Sequence, residues 1–183
     1  ENLTGIYAFV ANKKDASGQD VEESAGIQLA NRGLAELKER GILPEGIQEL
    51  AEDSYSAVLY SAIDVLEPQN NLSVWKVSLS TSQQNADKTN RLIDAYVDAA
   101  TGKIYGFYVR TEVTWEELDP EQIAASWSSY LGLSGREPYE AENPLLETAS
   151  AYVKYRFPGM EDKSIVVTLG FYEGINELFI KIV

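Results

Sequence analysis

Leu92-Ile-Asp-Ala-Tyr-Val-Asp-Ala-Ala-Thr-Gly-Lys-Ile-Tyr-Gly-Phe-Tyr-Val109 is the stretch on which the fold turns. Ile93, Ala95, Val97 and Ala99 alternate with Leu92, Asp94, Tyr96 and Asp98, the period of a half-buried strand. A turn follows at Thr101-Gly102-Lys103, where Gly102 can take the positive φ that tight hairpin turns require. Ile104 to Val109 supplies β-branched and aromatic residues for the returning strand. The stretch therefore reads as a β-hairpin in which Asp98 and Gly102 shape the turn and the alternation sets the register. It is scaffold, and it points to a fold rather than to a reaction.

Working outward, Val74 to Thr81 is the clearest strand, with Trp75, Val77 and Leu79 on one side and Lys76, Ser78 and Ser80 on the other. Tyr55 to Leu66 is a further strand, closed by the turn Glu67-Pro-Gln-Asn-Asn71. Ile27, Ala30, Leu34 and Leu37 fall at helical spacing and predict a helix over 22–40, ended by Gly41. Gly26 and Gly33 inside it each cost about 1 kcal/mol relative to Ala, and small residues there let a sheet approach closely. Ile6 to Ala11 reads as a strand. Residues 42–53 read as a connection with one helical turn through Ile47–Ala51, and Ser82 to Asn90 as a polar loop.

Downstream, Asp119 at the N-cap, Pro120 at N1 and Gln122 at N3 start a second helix. Its apolar face is Ile123, Ala124, Trp127, Tyr130 and Leu131, and Gly132 ends it. Pro138 and Pro144 discourage regular structure in the loop that follows. Three strands close the chain: Ala149 to Phe157, Ile165 to Phe171 and Leu178 to Val183.

A helix before a run of strands, met twice, indicates an α+β fold with two helix-plus-antiparallel-sheet units and a divergent tandem repeat of pattern. The expected division is 1–113, an N-terminal strand with a helix and four strands, and 114–183, a helix with three strands. The two sheets can also merge into one.

Composition removes several classes of function. Against 15 Lys and Arg stand 29 Asp and Glu, a net charge of -14, so the basic footprint of a nucleic-acid binder is missing. So is a polybasic patch for an anionic membrane. The acidity keeps the chain soluble, with a cationic partner or Ca²⁺ as the sharper alternative. There is no Cys and no His, which excludes disulfides, thiolate metal sites and Ser-His-Asp or Cys-His catalysis within the chain. No apolar run approaches the ~20 residues of a membrane span. Because the chain opens on Glu1 rather than Met, a segment is expected upstream, and a signal peptide, a membrane anchor and a plain boundary of the piece are all open.

Trp75-Lys76-Val77 and Val97-Asp98-Ala99-Ala100-Thr101-Gly102-Lys103-Ile104 resemble the "W-x-V-x-V" strand and the "V-D-A-x-T-G-x-I" turn of PepSY-type domains. The resemblance covers residues 22–110. Over 120–183 it is weaker, because Ile165 to Val183 lacks the Asp-Ala-x-Thr-Gly turn. Members of that family are mostly secreted or membrane-anchored and are thought to regulate or inhibit peptidases or to sense in the cell envelope. The resemblance thus implies an extracytoplasmic binding module and names no partner.

The residue patterns that carry chemistry elsewhere all have a plainer reading here. Ser73-Val-Trp-Lys76 has the Ser-x-x-Lys spacing, but that chemistry needs a helix and these residues begin a strand. Glu22 with Glu23, Glu116 with Glu117 and Asp119, and Glu140 with Glu142 are the acid pairs a glycosidase would draw on; solvated faces and helix N-termini explain them. Asp15 to Glu23 gathers oxygen ligands around Gly18 but misses the EF-hand spacing, and Asp94 and Asp98 share a strand face that a cation could meet. The sequons at Asn2 and Asn71 are short matches. Tyr96, Tyr105, Phe107 and Tyr108 are expected in the core, or in a peptide groove if one sheet face stays open.

No residue is thereby assigned as catalytic, cofactor-binding or metal-ligating, and no cofactor is expected. The expected function is a non-catalytic extracytoplasmic binding or regulatory domain of a bacterial envelope protein, with a protein or peptide partner such as a peptidase. A carboxylate-based hydrolase such as a glycosidase is the alternative from another class, and a structural subunit of a larger assembly the third.

Overall fold

The hairpin sits at the middle of a single antiparallel sheet. In the computed structural model, residues 7–13, 19–64, 71–84, 89–158 and 164–182 are described, with side chains over 23–61, 73–83, 89–158 and 164–182. The strands are β1 (Tyr7–Lys13), β2 (Tyr55–Asp64), β3 (Asn71–Leu79), β4 (Arg91–Asp98), β5 (Ile104–Arg110), β6 (Glu137–Pro138), β7 (Ala151–Pro158), β8 (Ser164–Tyr172) and β9 (Glu177–Ile182). Their order across the sheet is β1-β2-β3-β4-β5-β9-β8-β7-β6. The chain is thus mixed α and β with the antiparallel sheet dominant. The strands of the two halves merge into one sheet, joined where β5 pairs with β9 through Phe107↔Ile180, Tyr108↔Phe179, Val109↔Leu178 and Arg110↔Glu177.

Among the described residues three α-helices accompany the sheet: α1 (Gln19–Glu39), the four-residue α2 (Thr81–Gln84) and α3 (Pro120–Leu131). The apolar stripe of α1 is buried as its spacing predicts, through Ile27, Ala30, Leu34 and Leu37. Gly26 and Gly33 lie where α1 meets the sheet. A Cβ on Gly26 would stand 2.8 Å from the Trp75 ring, and one on Gly33 would stand 2.8 Å from Ile104 and 2.9 Å from the Gly102 carbonyl oxygen. The helix-weakening residues are therefore the ones that let it seat.

In α3, the Asp119 carboxylate accepts the Gln122 amide at 3.2 Å, and Gly132 ends the helix at φ 70. Ile123, Ala124, Trp127, Tyr130 and Leu131 are all buried. α3 reaches the hairpin directly: the Ile104 amide donates to the Tyr130 hydroxyl at 2.7 Å, and Lys103 Nζ sits 4.2 Å over the Tyr130 ring. Its Glu121 accepts the Tyr155 hydroxyl of β7 at 2.5 Å. α1 and α3 therefore pack on the same face, and their buried residues join one core cluster with strands from both halves.

Local departures from the sequence reading have local causes. Ser82 to Gln84 belong to a helical turn rather than to a polar loop. Ile47–Ala51 forms no helical turn; its backbone is held instead by Gln48 N donating to Asn90 O at 2.9 Å and by Asn31, which brackets Leu50 at 2.7 and 3.1 Å. Pro138 ends in a two-residue edge strand on β7, a place where a missing N–H costs nothing. The β4–β5 ladder also shifts register twice, between Leu92 and Asp94 and between Tyr96 and Val97. The first shift returns Leu92 to the helix side opposite Val109, where strict alternation would have left it beside Asp94. The second inserts Tyr105 as the extra residue between Ile104 and Gly106.

Candidate functional site

Cross-strand partners in a sheet project from the same face, so the register defines what the side away from the helices carries. One row runs Ser78, Asp94, Tyr108, Phe179, Gly170, Tyr152 across β3, β4, β5, β9, β8 and β7. Beside it run Arg110, Glu177 and Tyr172 on one flank, and Lys76 with Tyr96 on the other. Lys181, Thr168 and Lys154 form a further row. The neighbouring alternate positions, Val97, Ala95, Phe107, Ile180 and Leu169, go to the core.

The aromatic members of this face pack on one another. The Phe179 ring stacks on Tyr108 at 5.1 Å and on Tyr172 at 5.3 Å between centroids. It lies over β8 because Gly170 has no side chain: a Cβ there would come within 2.4 Å of Phe179 Cζ. Lys181 Nζ stands 5.5 Å from the Phe179 ring centre, and Lys76 Nζ 5.7 Å from that of Tyr96. Phe179 itself is buried, whereas Tyr96, Tyr108, Tyr152 and Tyr172 are each half-buried. Charges of both signs rim the stack. Arg110 Nε lies 3.7 Å from Glu177 Oε2, and Lys154 Nζ pairs with Glu147 at 2.5 Å while donating to Thr168 Oγ1 at 3.0 Å.

Partial burial shifts the titration of three of these groups. It holds the Glu177 carboxyl above its ordinary value, with Arg110 opposing and the Asp94 charge adding to the rise. It raises Asp94 likewise, against the pull of Lys76. The Tyr108 phenol between them is pushed up to about 12, first by burial and then by Tyr172, Asp94 and Glu177. The Asp94 charge is thus felt both at Glu177 and at the phenol between them, on a surface where stacking and charge-assisted hydrogen bonds are both on offer.

The residues singled out in the sequence are dispersed. Asp98 shapes the hairpin turn: its Oδ1 accepts Ala100 N at 2.8 Å and Thr101 N at 3.0 Å, and its Oδ2 accepts the Tyr105 hydroxyl. Ser73 and Lys76 lie three apart on β3 and so on opposite faces. Glu117 closes a capping box with Thr114 at 2.7 and 3.1 Å, hydrogen bonds that pull its carboxyl below the ordinary range, and Asp119 caps α3. Glu140 and Glu142 are exposed on the loop before β7. Of the Asp15–Glu23 stretch, residues 19–23 belong to α1 rather than to a loop, while residues 15–18, the side chains through Glu22, Asn2 and the Asn71 side chain lie outside the described residues. Among the described residues no three carboxylates converge as metal ligands would.

Tyr96 and Tyr108 come together on the open face, whereas Phe107 goes to the core. Arg110, Glu177 and Phe179 were missed by the sequence reading. One signal for them was present: in Glu177-Leu-Phe-Ile-Lys-Ile182, Phe179 alternates with the charged Glu177 and Lys181, an aromatic on the polar side of a strand. Compared with family models, with curated proteins and with solved structures, the chain matches none.

Proposed function

We propose that this chain is a non-catalytic, PepSY-like binding or regulatory domain of a bacterial cell envelope, working outside the cytoplasm. The sheet face turned away from α1 and α3 takes a peptide segment of a protein partner such as a peptidase. The observation that carries the reading is the row Asp94, Tyr108, Phe179 and its neighbours Tyr96, Arg110 and Tyr172. Together they form a stacked aromatic platform with fixed charges of both signs, on the face that α1 and α3 leave free. The strand order supports the divergent-repeat reading as well. β3-β4-β5 and β7-β8-β9 are two three-stranded meanders, each preceded by a helix on the same face, meeting at their last strands.

A random-peptide display selection on the immobilised protein tests this. Peptides enriched on the wild type should lose at least tenfold in affinity, about 1.4 kcal/mol, on a Tyr96→Ala/Tyr108→Ala double variant whose circular dichroism is unchanged. No enrichment, or peptides that bind the double variant equally well, would sink the proposal.

Asp94 and Glu177, both held above the ordinary carboxylate range, favour a second reading as a carboxylate hydrolase. Turnover of chromogenic glycosides that is abolished by Asp94→Asn and by Glu177→Gln would establish it in place of the first.

A further inference from the structure

The sheet face away from α1 and α3 carries charges of both signs, and most of them are already engaged. Arg110 lies against Glu177 at 3.7 Å, Lys154 against Glu147 at 2.5 Å and Arg156 against Glu137 at 4.0 Å. Arg91 donates to the Gln83 carbonyl at 3.5 Å, and Asp98 is spent on the hairpin turn. Lys76, Lys181 and Asp94 remain, none of them in an ion pair among the described residues. Asp94 feels Lys76 at longer range. Each lysine rests instead on an aromatic ring, Lys76 on Tyr96 and Lys181 on Phe179, and both are half-buried. A ring face holds a cation less strongly than a carboxylate hydrogen bond does, so both ammonium groups stand to gain from an incoming anion.

The two lysines share one register row. Lys76 lies opposite Tyr96, Tyr96 opposite Gly106, and a Cβ on Gly106 would stand 3.7 Å from the Cα of Lys181. The row steps from β3 through β4 and β5 to β9, so the lysines stand about 14 Å apart at the ordinary strand spacing. An extended chain rises about 3.4 Å per residue and turns alternate side chains to one side, which puts side chains four residues apart at about the same 14 Å. Between the lysines Gly106 puts no side chain in the path, and the Tyr96 ring offers stacking area. Two cations outside ion pairs face one such carboxylate, on a chain whose net charge of -14 turns acid away elsewhere. At roughly 0.15 M salt, screening beyond ~8 Å leaves the local lysines to decide.

We propose, on the reading of this face as a peptide site, that the segment it takes is extended and acidic. It crosses β3, β4, β5 and β9 with one Asp or Glu side chain on Lys76 and a second, four residues on, on Lys181.

Capture of octapeptide pools on the immobilised protein tests this. Each pool is randomised among uncharged residues at every position but two, which are both Glu four apart, both Glu three apart, both Gln four apart or both Lys four apart. The pool with Glu four apart should be held about tenfold better than the others, since residues three apart in an extended chain point to opposite sides. That excess should shrink several-fold from about 0.1 to 1 M salt, as the screening length falls from ~10 to ~3 Å. It should vanish in Lys76→Gln/Lys181→Gln and grow in Asp94→Asn, which removes the nearest like charge, both with unchanged circular dichroism. Lys76→Glu/Lys181→Glu should shift the preference to the Lys pool. Equal capture of all pools that is still lost in Tyr96→Ala/Tyr108→Ala overturns the acidic ligand and leaves the peptide site standing. Capture of no pool overturns both. A wild type that prefers the Lys pool, or a Glu preference that survives loss of both lysines, overturns the acidic ligand as well.

Discussion

Asp98 is only 4% exposed and spends both carboxylate oxygens on the hairpin, accepting two backbone amides and the Tyr105 hydroxyl. Hydrogen bonds to charged groups contribute about 1.5–3 kcal/mol each, and orphaned buried donors add a penalty. Asp98→Ala should therefore destabilise the protein by roughly 3 kcal/mol in urea unfolding, more than Asp98→Asn, which keeps one carbonyl acceptor. Asp94 makes a different prediction at the same scale. Its carboxyl is raised in the fold, so the folded state binds the proton more tightly than the unfolded chain does. Its contribution is fully present below the ordinary carboxylate pKa and is lost as pH rises through the higher folded value. Wild-type stability should then fall as pH rises above the ordinary carboxylate range more steeply than that of Asp94→Asn, as urea midpoints at several pH values would record. Equal slopes would place the carboxylate in a more solvated setting than its row implies. The pattern Asp-x-x-Thr-Gly was legible as a turn from its own residues. The environment of Asp94 was not, because Tyr108, Glu177 and Lys76 come from three other strands.

At the scale of elements, α1 shows two effects of opposite sign at one position. Replacing Gly33 by Ala improves helix propensity by about 1 kcal/mol. The same methyl would meet the Gly102 carbonyl at 2.9 Å and Ile104 at 2.8 Å, and overpacking of this kind costs typically 1–3 kcal/mol. A backbone oxygen in a hairpin turn gives way less readily than a side-chain tip, so the clash should win, with a net loss of about 1 kcal/mol in chemical denaturation. Asp119→Ala should cost about 1 kcal/mol through the lost α3 cap, visible as a lowered thermal midpoint. The buried stripes of α1 and α3 and the capped ends of α3 were readable, since periodicity and caps are properties of neighbouring residues, whereas α1 begins at Gln19, three residues before its predicted start. The β4–β5 bulges were not, because an extra residue in a ladder is defined only against the partner strand.

For the whole molecule, the decisive feature is the four-residue seam between β5 and β9, backed by one core cluster that runs through both halves. Trp75 lies beneath α1 and Trp127 within α3, both in that cluster. In each of Trp75→Phe and Trp127→Phe, the unfolding transition followed by the fluorescence of the remaining tryptophans should coincide with the far-UV circular dichroism transition of the same variant. Two separated transitions would mean that the halves unfold as independent units.

The chain's own pattern was enough to set the mixing of helices with antiparallel strands, the hairpin, the buried faces of α1 and α3 and the core-facing side of β3, because each depends on residues a few positions apart. Tertiary structure alone decided that the strands form one sheet and that α1 and α3 share a side. It also decided that Asp94, Tyr108, Arg110, Glu177 and Phe179 meet on the other. Those residues come from strands far apart in the chain, and local periodicity says which way a side chain points but not which strand lies beside it.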